Sequence, residues 1–421
     1  MRTSHLNAVL AALLLAGSAM AQTAAPAPAG AASAPARPSV RQEVAKVLLE
    51  AQTLSNDKKY PQAKEKIQAA GAFADKSPHE QYLIARFTFN VAVGEDDGPV
   101  ASKQLEQILA LNETGKWAPQ SDVIAWLQNA GVVHYRTKDY ANAARWMERN
   151  IKEGGTSQSV KNVRIQSYLF VGNFARVTEL ADEEIALAQK ENRAPALSHL
   201  EVLAQARTQL KDTPGGTRAV ELLVTYYPKK EYWQSLLNRM WNRSDLASSL
   251  QLDLFRLTVF TNVLQDTNDF IEYIKMAQAG GYSAEALSVY DKGAAAGILG
   301  TAENADPHKK LHTKLLAEVE QDRKTSAADI ANALKKPNGQ VMVNVGFSLI
   351  GQQQFDKGIE LIEKGIAKGI PKRPDDARLR LGIAYAMAGQ TEKAQQTFAT
   401  VSGKEGLDEL ARYWGLALRK P

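Results

Sequence analysis

The sequence predicts an all-α fold assembled from paired helices, and three observations predict it. From residue 40 onward apolar residues recur at three- and four-residue spacing, and no stretch alternates like a strand for long. The apolar segments, about ten to sixteen residues each, come in twos, with Gly, Asn, Asp or Pro marking the turns. A related phrase then returns at a fixed interval, which is how a stack of similar structural units shows itself in sequence.

The first element lies before the helices. Residues 1–21 carry a basic start at Arg2, an apolar run from Ala8 to Leu15, and the small-x-small site Ala19-Met20-Ala21. This is the three-part layout of a secretory signal peptide, and its apolar run is about half the ~20 residues a membrane-spanning helix needs. Cleavage is expected near Ala21, giving a periplasmic or secreted protein with no membrane span in the mature chain. Residues 22–39 are Ala and Pro with almost nothing to bury and read as a disordered spacer. With no cysteine, the chain has no disulfide and no thiolate metal site. Hydrophobic residues at 44% and charged residues at 23% place the rest among folding chains. Loss of Arg2 leaves 50 basic against 46 acidic side chains, a formal charge of +4, too dilute for the dense basic face that nucleic acid requires.

The helical part begins with residues 44–74, a pair carrying Ala51, Leu54, Tyr60, Ala63 and Ile67. Residues 78–111 pair more loosely. The clearest unit is residues 124–154. Its first helix holds Leu127, Ala130, Gly131, His134 and Tyr135, its turn runs from Thr137 to Tyr140, and its second helix holds Ala143, Met147 and Ile151. Small residues at Ala130, Gly131 and Ala143 let two backbones approach, and Tyr140 fills the space where they diverge. The phrase returns at Phe174, 34 residues after Tyr140. Residues 196–227 and 268–296 keep the pairing with a weaker pattern, whereas 233–264 and 309–336 are helical but match no repeat. Two further copies follow: residues 343–365 with Gly346, Phe355, Gly358 and Ile362, and residues 376–401 with Gly382, Tyr385, Ala394 and Phe398. In the last copy Thr391 replaces the aromatic. Residues 407–418 place Leu407, Leu410, Ala411, Trp414 and Leu418 on one face, as a terminal cap needs.

Small residues in both helices, an aromatic just after the turn and a 34-residue interval resemble the tetratricopeptide repeat (TPR). The resemblance implies a right-handed superhelical solenoid of antiparallel helix pairs with a C-terminal capping helix. Along the chain it implies N-terminal repeats over residues 40–230, irregular and bridging helices over 231–336, and C-terminal repeats with the cap over 337–421. In such a stack the first helix of each pair lines an inner groove. The register puts Gln128, Val132, Tyr135 and Arg136 there in one unit, Asn162 and Gln166 in the next, and Asn344, Phe347 and Arg380 near the end. Some grooves of this family clamp a C-terminal carboxylate with Lys, Asn and Arg. Only Asn344 and Arg380 fit that set here, with Val343 and Phe347 at the Lys and Asn positions.

Little else points to chemistry. His308 and His312 are four apart, but no third ligand is evident and Lys309 and Lys310 lie between them, so an exposed basic helix start is expected. Glu95-Asp96-Asp97 precedes Gly98-Pro99 and reads as a turn capping the next helix. Asn112 and Asn242 head glycosylation sequons, a short pattern with many chance matches. Residues 226–233, YYPKKEYW, are the densest aromatic and basic cluster; Tyr227 and Trp233 are expected to close the join to the irregular helices. No phosphate loop, G-x-S-x-G or H-E-x-x-H motif is present. The expectation is therefore no catalytic residue, no cofactor and no metal. It is a non-catalytic scaffold or adaptor of the cell envelope that binds a protein partner and no nucleic acid. A polymer-binding accessory of cell-wall or polysaccharide assembly is the alternative, and a domain of a wall-cleaving enzyme comes last.

Overall fold

A computed structural model describes residues 40–301 and 305–419. The expected signal peptide and spacer lie outside the described residues. Among the described residues there are helices and no strand, and the chain divides into two compact units, residues 1–119 and 120–421.

The first unit holds α1 (Gln42–Asn56), α2 (Tyr60–Ala72), α3 (Pro78–Gly94) and α4 (Gly98–Gly115). α1 pairs with α2 and α3 with α4. Arg41, just before α1, grips Glu80 in the first turn of α3 with two side-chain bonds of 2.9 and 3.0 Å. Glu80 also closes a capping box with Ser77, and the Arg41 guanidinium holds its carboxyl down at about 2.

The second unit opens with three pairs: α5 (Gln120–Arg136) with α6 (Tyr140–Lys152), α7 (Gln158–Phe170) with α8 (Phe174–Lys190), and α9 (Leu197–Gln209) with α10 (Thr213–Tyr226). α11 (Lys230–Trp241), a 3-10 turn (Ser248–Leu250) and α12 (Gln251–Phe260) follow, then the pair α13 (Thr267–Ala279) and α14 (Ser283–Ala295). α15 (Ala305–Lys335) is one unbroken helix of 31 residues, not a pair. The pairs α16 (Gln340–Gly351) with α17 (Phe355–Lys368) and α18 (Pro374–Met387) with α19 (Thr391–Ala399) lead to α20 (Leu407–Ala417). No helix among the described residues is long and apolar enough to cross a membrane.

The same turn joins both helices of every pair. One left-handed residue, Lys58, Asp96, Lys138, Gly172, Lys211, Gly281, Gln353 or Gly389, is followed by a residue whose N–H reaches back five positions, as Asp139 does to the His134 carbonyl at 2.8 Å. This is a Schellman closure, which satisfies the last carbonyls of the first helix and reverses the chain within a few residues. In four of these turns the next residue then caps the second helix through its side chain: Asp97, Asp139, Asn173 and Asp212.

Close approach inside a pair also repeats. A Cβ on Gly131, Gly346 or Gly382 would lie 2.7 Å from Met147, 2.7 Å from Ile362 and 2.5 Å from Phe398, in each case a residue 16 positions further on. The small positions of the sequence pattern are thus where a side chain of the second helix presses on the first.

One hydrophobic core runs from Val220 to Trp414. α20 does more than cover the last pair: it returns to the middle of the unit. Trp414 packs on both Phe398 and Phe260, Arg412 bonds Glu221 of α10 at 2.7 Å, Arg243 bonds Glu409, and the Ala247 N–H donates to the Glu405 carbonyl at 3.1 Å.

Candidate functional site

The first helices of the opening pairs in the second unit are tied to one another side chain to side chain. Tyr135 of α5 donates its hydroxyl to Gln166 of α7 at 2.7 Å. Asn162, one turn earlier on α7, bonds Nε2 of His199 on α9 at 2.7 Å, and Tyr232 of α11 donates to Glu201 of α9 at 2.6 Å. Six sequence-predicted residues therefore lie along one strip. Gln128, Val132, Tyr135, Asn162 and Gln166 are half-buried and Arg136 is exposed. Burial and the nearby Tyr140 raise the Tyr135 hydroxyl above its ordinary value, so it remains a donor at neutral pH.

Two features mark this strip. At one end Tyr140 stacks on Phe170 with centroids 4.5 Å apart, and Tyr135 meets Tyr140 edge-on at 5.5 Å. Phe170 is 55% exposed there, far more than the core tolerates. At the other end a cleft of about 310 Å³ between α9 and α11 is lined by Glu201, Gln205, Thr208, Tyr232, Ser235 and Arg239. Amide, hydroxyl, carboxylate and guanidinium groups alternate there with apolar walls.

The remaining three predicted residues do not share this surface. Phe347 is 1% exposed, and Arg380 is largely buried. Both face α12, which lies against α16 and α18 where the register assigns an inner groove. Arg256 of α12 sits 4.0 Å from the centre of the Phe347 ring and 4.9 Å from that of Tyr282. It grips Glu285 with two bonds of 2.8 and 2.7 Å and pairs with Asp253, whose other oxygen meets Arg380 at 3.4 Å. Phe347 and Arg380 are thus corrected from groove residues to supports of an internal helix. Asn344 alone of the three is exposed; it lines a polar cavity of about 290 Å³ with Asp322, Ser326 and Asp329 of α15.

This buried cluster has the look of chemistry but not its means. Burial opposes the charge on Arg256, yet Glu285 and Asp253 hold its pKa well above the ordinary value. Tyr273 is pushed well up by burial and by Glu285, to which it donates at 2.8 Å. Both oxygens of Glu285 are engaged, so none is left as a base.

Other motifs resolve into structure. His308 is buried and accepts the Gly300 N–H at 2.8 Å, so it belongs to a packed turn rather than to an exposed basic helix start; His312 stacks on Tyr290. No group of three potential metal ligands occurs among the described residues. Asp97 caps α4 as its sequence implied. Trp233 is buried in the large core and Tyr227 donates to the Pro195 carbonyl at 2.8 Å, which closes the join after α10.

The shared turn, the glycine register and the aromatic opening the second helix in α2, α6, α8 and α17 decide the kind of pair. The helix pairs resemble those of the tetratricopeptide repeat. No family model and no curated protein matches the sequence. Among solved structures, the chain is similar to a TPR protein from Parabacteroides merdae, at 11% identity and a TM-score of 0.31, over 82% of this chain and 99% of that one. It is also similar to the TPR2AB-domain:pHSP90 complex of yeast Sti1, at 11% identity and a TM-score of 0.25, over 71% and 100%. A third is yeast Tom70, at 12% identity and 0.18, over 90% and 96%. Overlap this low says nothing of a partner for this chain.

Residues 233–264 are expected to be helical, but nothing in that expectation places α12 inside the fold. Its apolar run LDLFRL is interrupted by Asp253 and Arg256, three residues apart. An ion pair inside an otherwise continuous apolar run is the signal that could have found it, because only a helix buried all round places such a pair in its core.

Proposed function

We propose that this chain is a non-catalytic TPR-type scaffold that holds an extended segment of a protein partner along the inner strip of α5, α7, α9 and α11. One observation carries the reading: this strip is open, with an exposed aromatic cluster at one end and a polar cleft at the other, while the corresponding face of α16 and α18 is filled by the chain's own α12. Tyr140 and Phe170 stack on each other and Tyr135 meets Tyr140 edge-on, which leaves Phe170 the exposed apolar anchor of the strip. The layout of residues 1–21 supports a periplasmic or secreted setting.

Crosslinking in the native envelope identifies the partner. Tyr135→Ala with Arg136→Ala is then expected to weaken it by at least ~2 kcal/mol, the scale of hot-spot truncation, in a variant that stays folded. Full binding by the folded double variant would remove the strip from consideration. N-terminal sequencing that finds Met1 on a cytosolic product would refute the compartment.

A further inference from the structure

A second, separate site lies where α12, α16 and α18 all end. Phe260, Gly351 and Met387, the last residues of these helices, line a cavity of about 300 Å³ whose walls are completed by Val289, Phe355 and Trp414. Phe260 is 41% and Met387 39% exposed, so two apolar side chains stand at the rim, while Arg256, Tyr273 and Glu285 line part of the inner wall. Ser288, Lys292, Gly351 and Gln353 also line an adjoining trench of about 550 Å³, where α15 contributes Arg323.

Charge is distributed unevenly over this space. On the inner wall Arg256 is matched by Glu285, and three helix C-termini add partial negative charge. At the mouth Lys292 and Arg323 are exposed and have no ion-pair partner among the described residues. Among the described residues that line the trench, the one carboxylate is Asp291, which lies 3.3 Å from His312. An anionic head is therefore repelled from the interior and held at the mouth, while an apolar body is favoured inside.

We propose that this cavity binds a small amphipathic carboxylate, its apolar chain between Phe260, Val289 and Met387 and its carboxylate over Lys292 and Arg323. The site is independent of the inner strip. Decanoate is the probe, with 1-decanol as the uncharged control, titrated calorimetrically into the full chain. Saturable one-to-one binding of decanoate is expected, at least about tenfold tighter than decanol, since the alcohol forfeits the charge-assisted contacts. Lys292→Glu with Arg323→Glu is expected to weaken decanoate by at least about tenfold. Met387→Glu, which places a carboxylate on the apolar rim, should do the same. All three substitutions are at exposed positions, and an unchanged circular dichroism spectrum and melting midpoint certify the fold. Non-saturable uptake, equal affinity for decanol, or undiminished binding by the folded variants would overturn the proposal. So would a peptide with an apolar C-terminal residue that binds at these residues when decanoate does not.

Discussion

The two stretches of the second unit that share this helix-pair turn treat their inner faces in opposite ways. Over α5 to α11 the first helices are tied by single neutral or singly charged links, such as Tyr135 to Gln166, and the strip between them stays open. Over α16 to α19 the same face is covered by α12, through a buried network of Asp253, Arg256, Glu285 and Arg380. The difference teaches that the repeat fixes how two helices pair, while what fills the groove is decided elsewhere in the chain. An open solenoid binds others; here a closed stretch has in effect bound itself, and α20 locks the closure by pairing Arg412 with Glu221.

The comparison is broken most directly by deleting one cation from the closed face. Arg256→Met leaves Glu285 buried without its cation and Asp253 with only the longer contact to Arg380, and should destabilise by about 3–5 kcal/mol. Gln166→Leu, which removes one link from the open face, should cost only about 0.5–1.5 kcal/mol. Urea denaturation of the two variants measures both. Equal costs would mean that the open strip is as tightly constrained as the filled one.

Much of the fold was legible because it is local. Glycines at 131, 346 and 382 act within their own pair, Tyr60 and Tyr140 reach only to the next pair, and the turns satisfy backbone groups of adjacent residues. The strip residues Tyr135, Asn162 and Gln166 followed from that register. The filled face was not legible, because its partners lie far apart in sequence: Asp253 meets Arg380 127 residues away and Arg256 meets Glu285 29 residues away. Nothing in the phrase around Phe347 says that a helix from elsewhere will cover it.

Pair geometry gives a finer test. A Cβ on Gly346 would lie 2.7 Å from the Gly358 carbonyl oxygen, which is backbone and cannot turn aside. The three atoms nearest a Cβ on Gly131 all belong to the Met147 side chain, whose flexible thioether can move. Gly346→Ala should therefore cost about 1–3 kcal/mol by overpacking. Gly131→Ala should cost much less, because moving Met147 is offset by the ~0.5–1 kcal/mol that alanine gains over glycine within a helix. Melting midpoints of the two variants decide it. A Gly131→Ala variant as unstable as Gly346→Ala would show that the first pair is packed as rigidly as the later one.

The smallest expected effect separates the two faces by pH. His199, on the open side, bonds Asn162 and is almost fully buried. Burial lowers its pKa from 6.5; Glu184 opposes this, while Lys161 and Arg193 reinforce it. The unfolded chain takes up a proton near 6.5 that the folded chain resists, so the unfolded state binds more protons below that pH. The stability that follows is fully present above the unfolded value and is lost as pH falls through the folded one. Denaturation midpoints at about pH 7.5 and about pH 5.5 should therefore fall toward acid, and His199→Gln, whose amide can keep the bond to Asn162 without titrating, should flatten part of the slope. The Arg256 guanidinium, held well above its ordinary value by Glu285 and Asp253, keeps its proton throughout this window. A slope that His199→Gln leaves untouched would place the acid sensitivity outside the open strip, and the contrast between the two faces would then rest on packing alone.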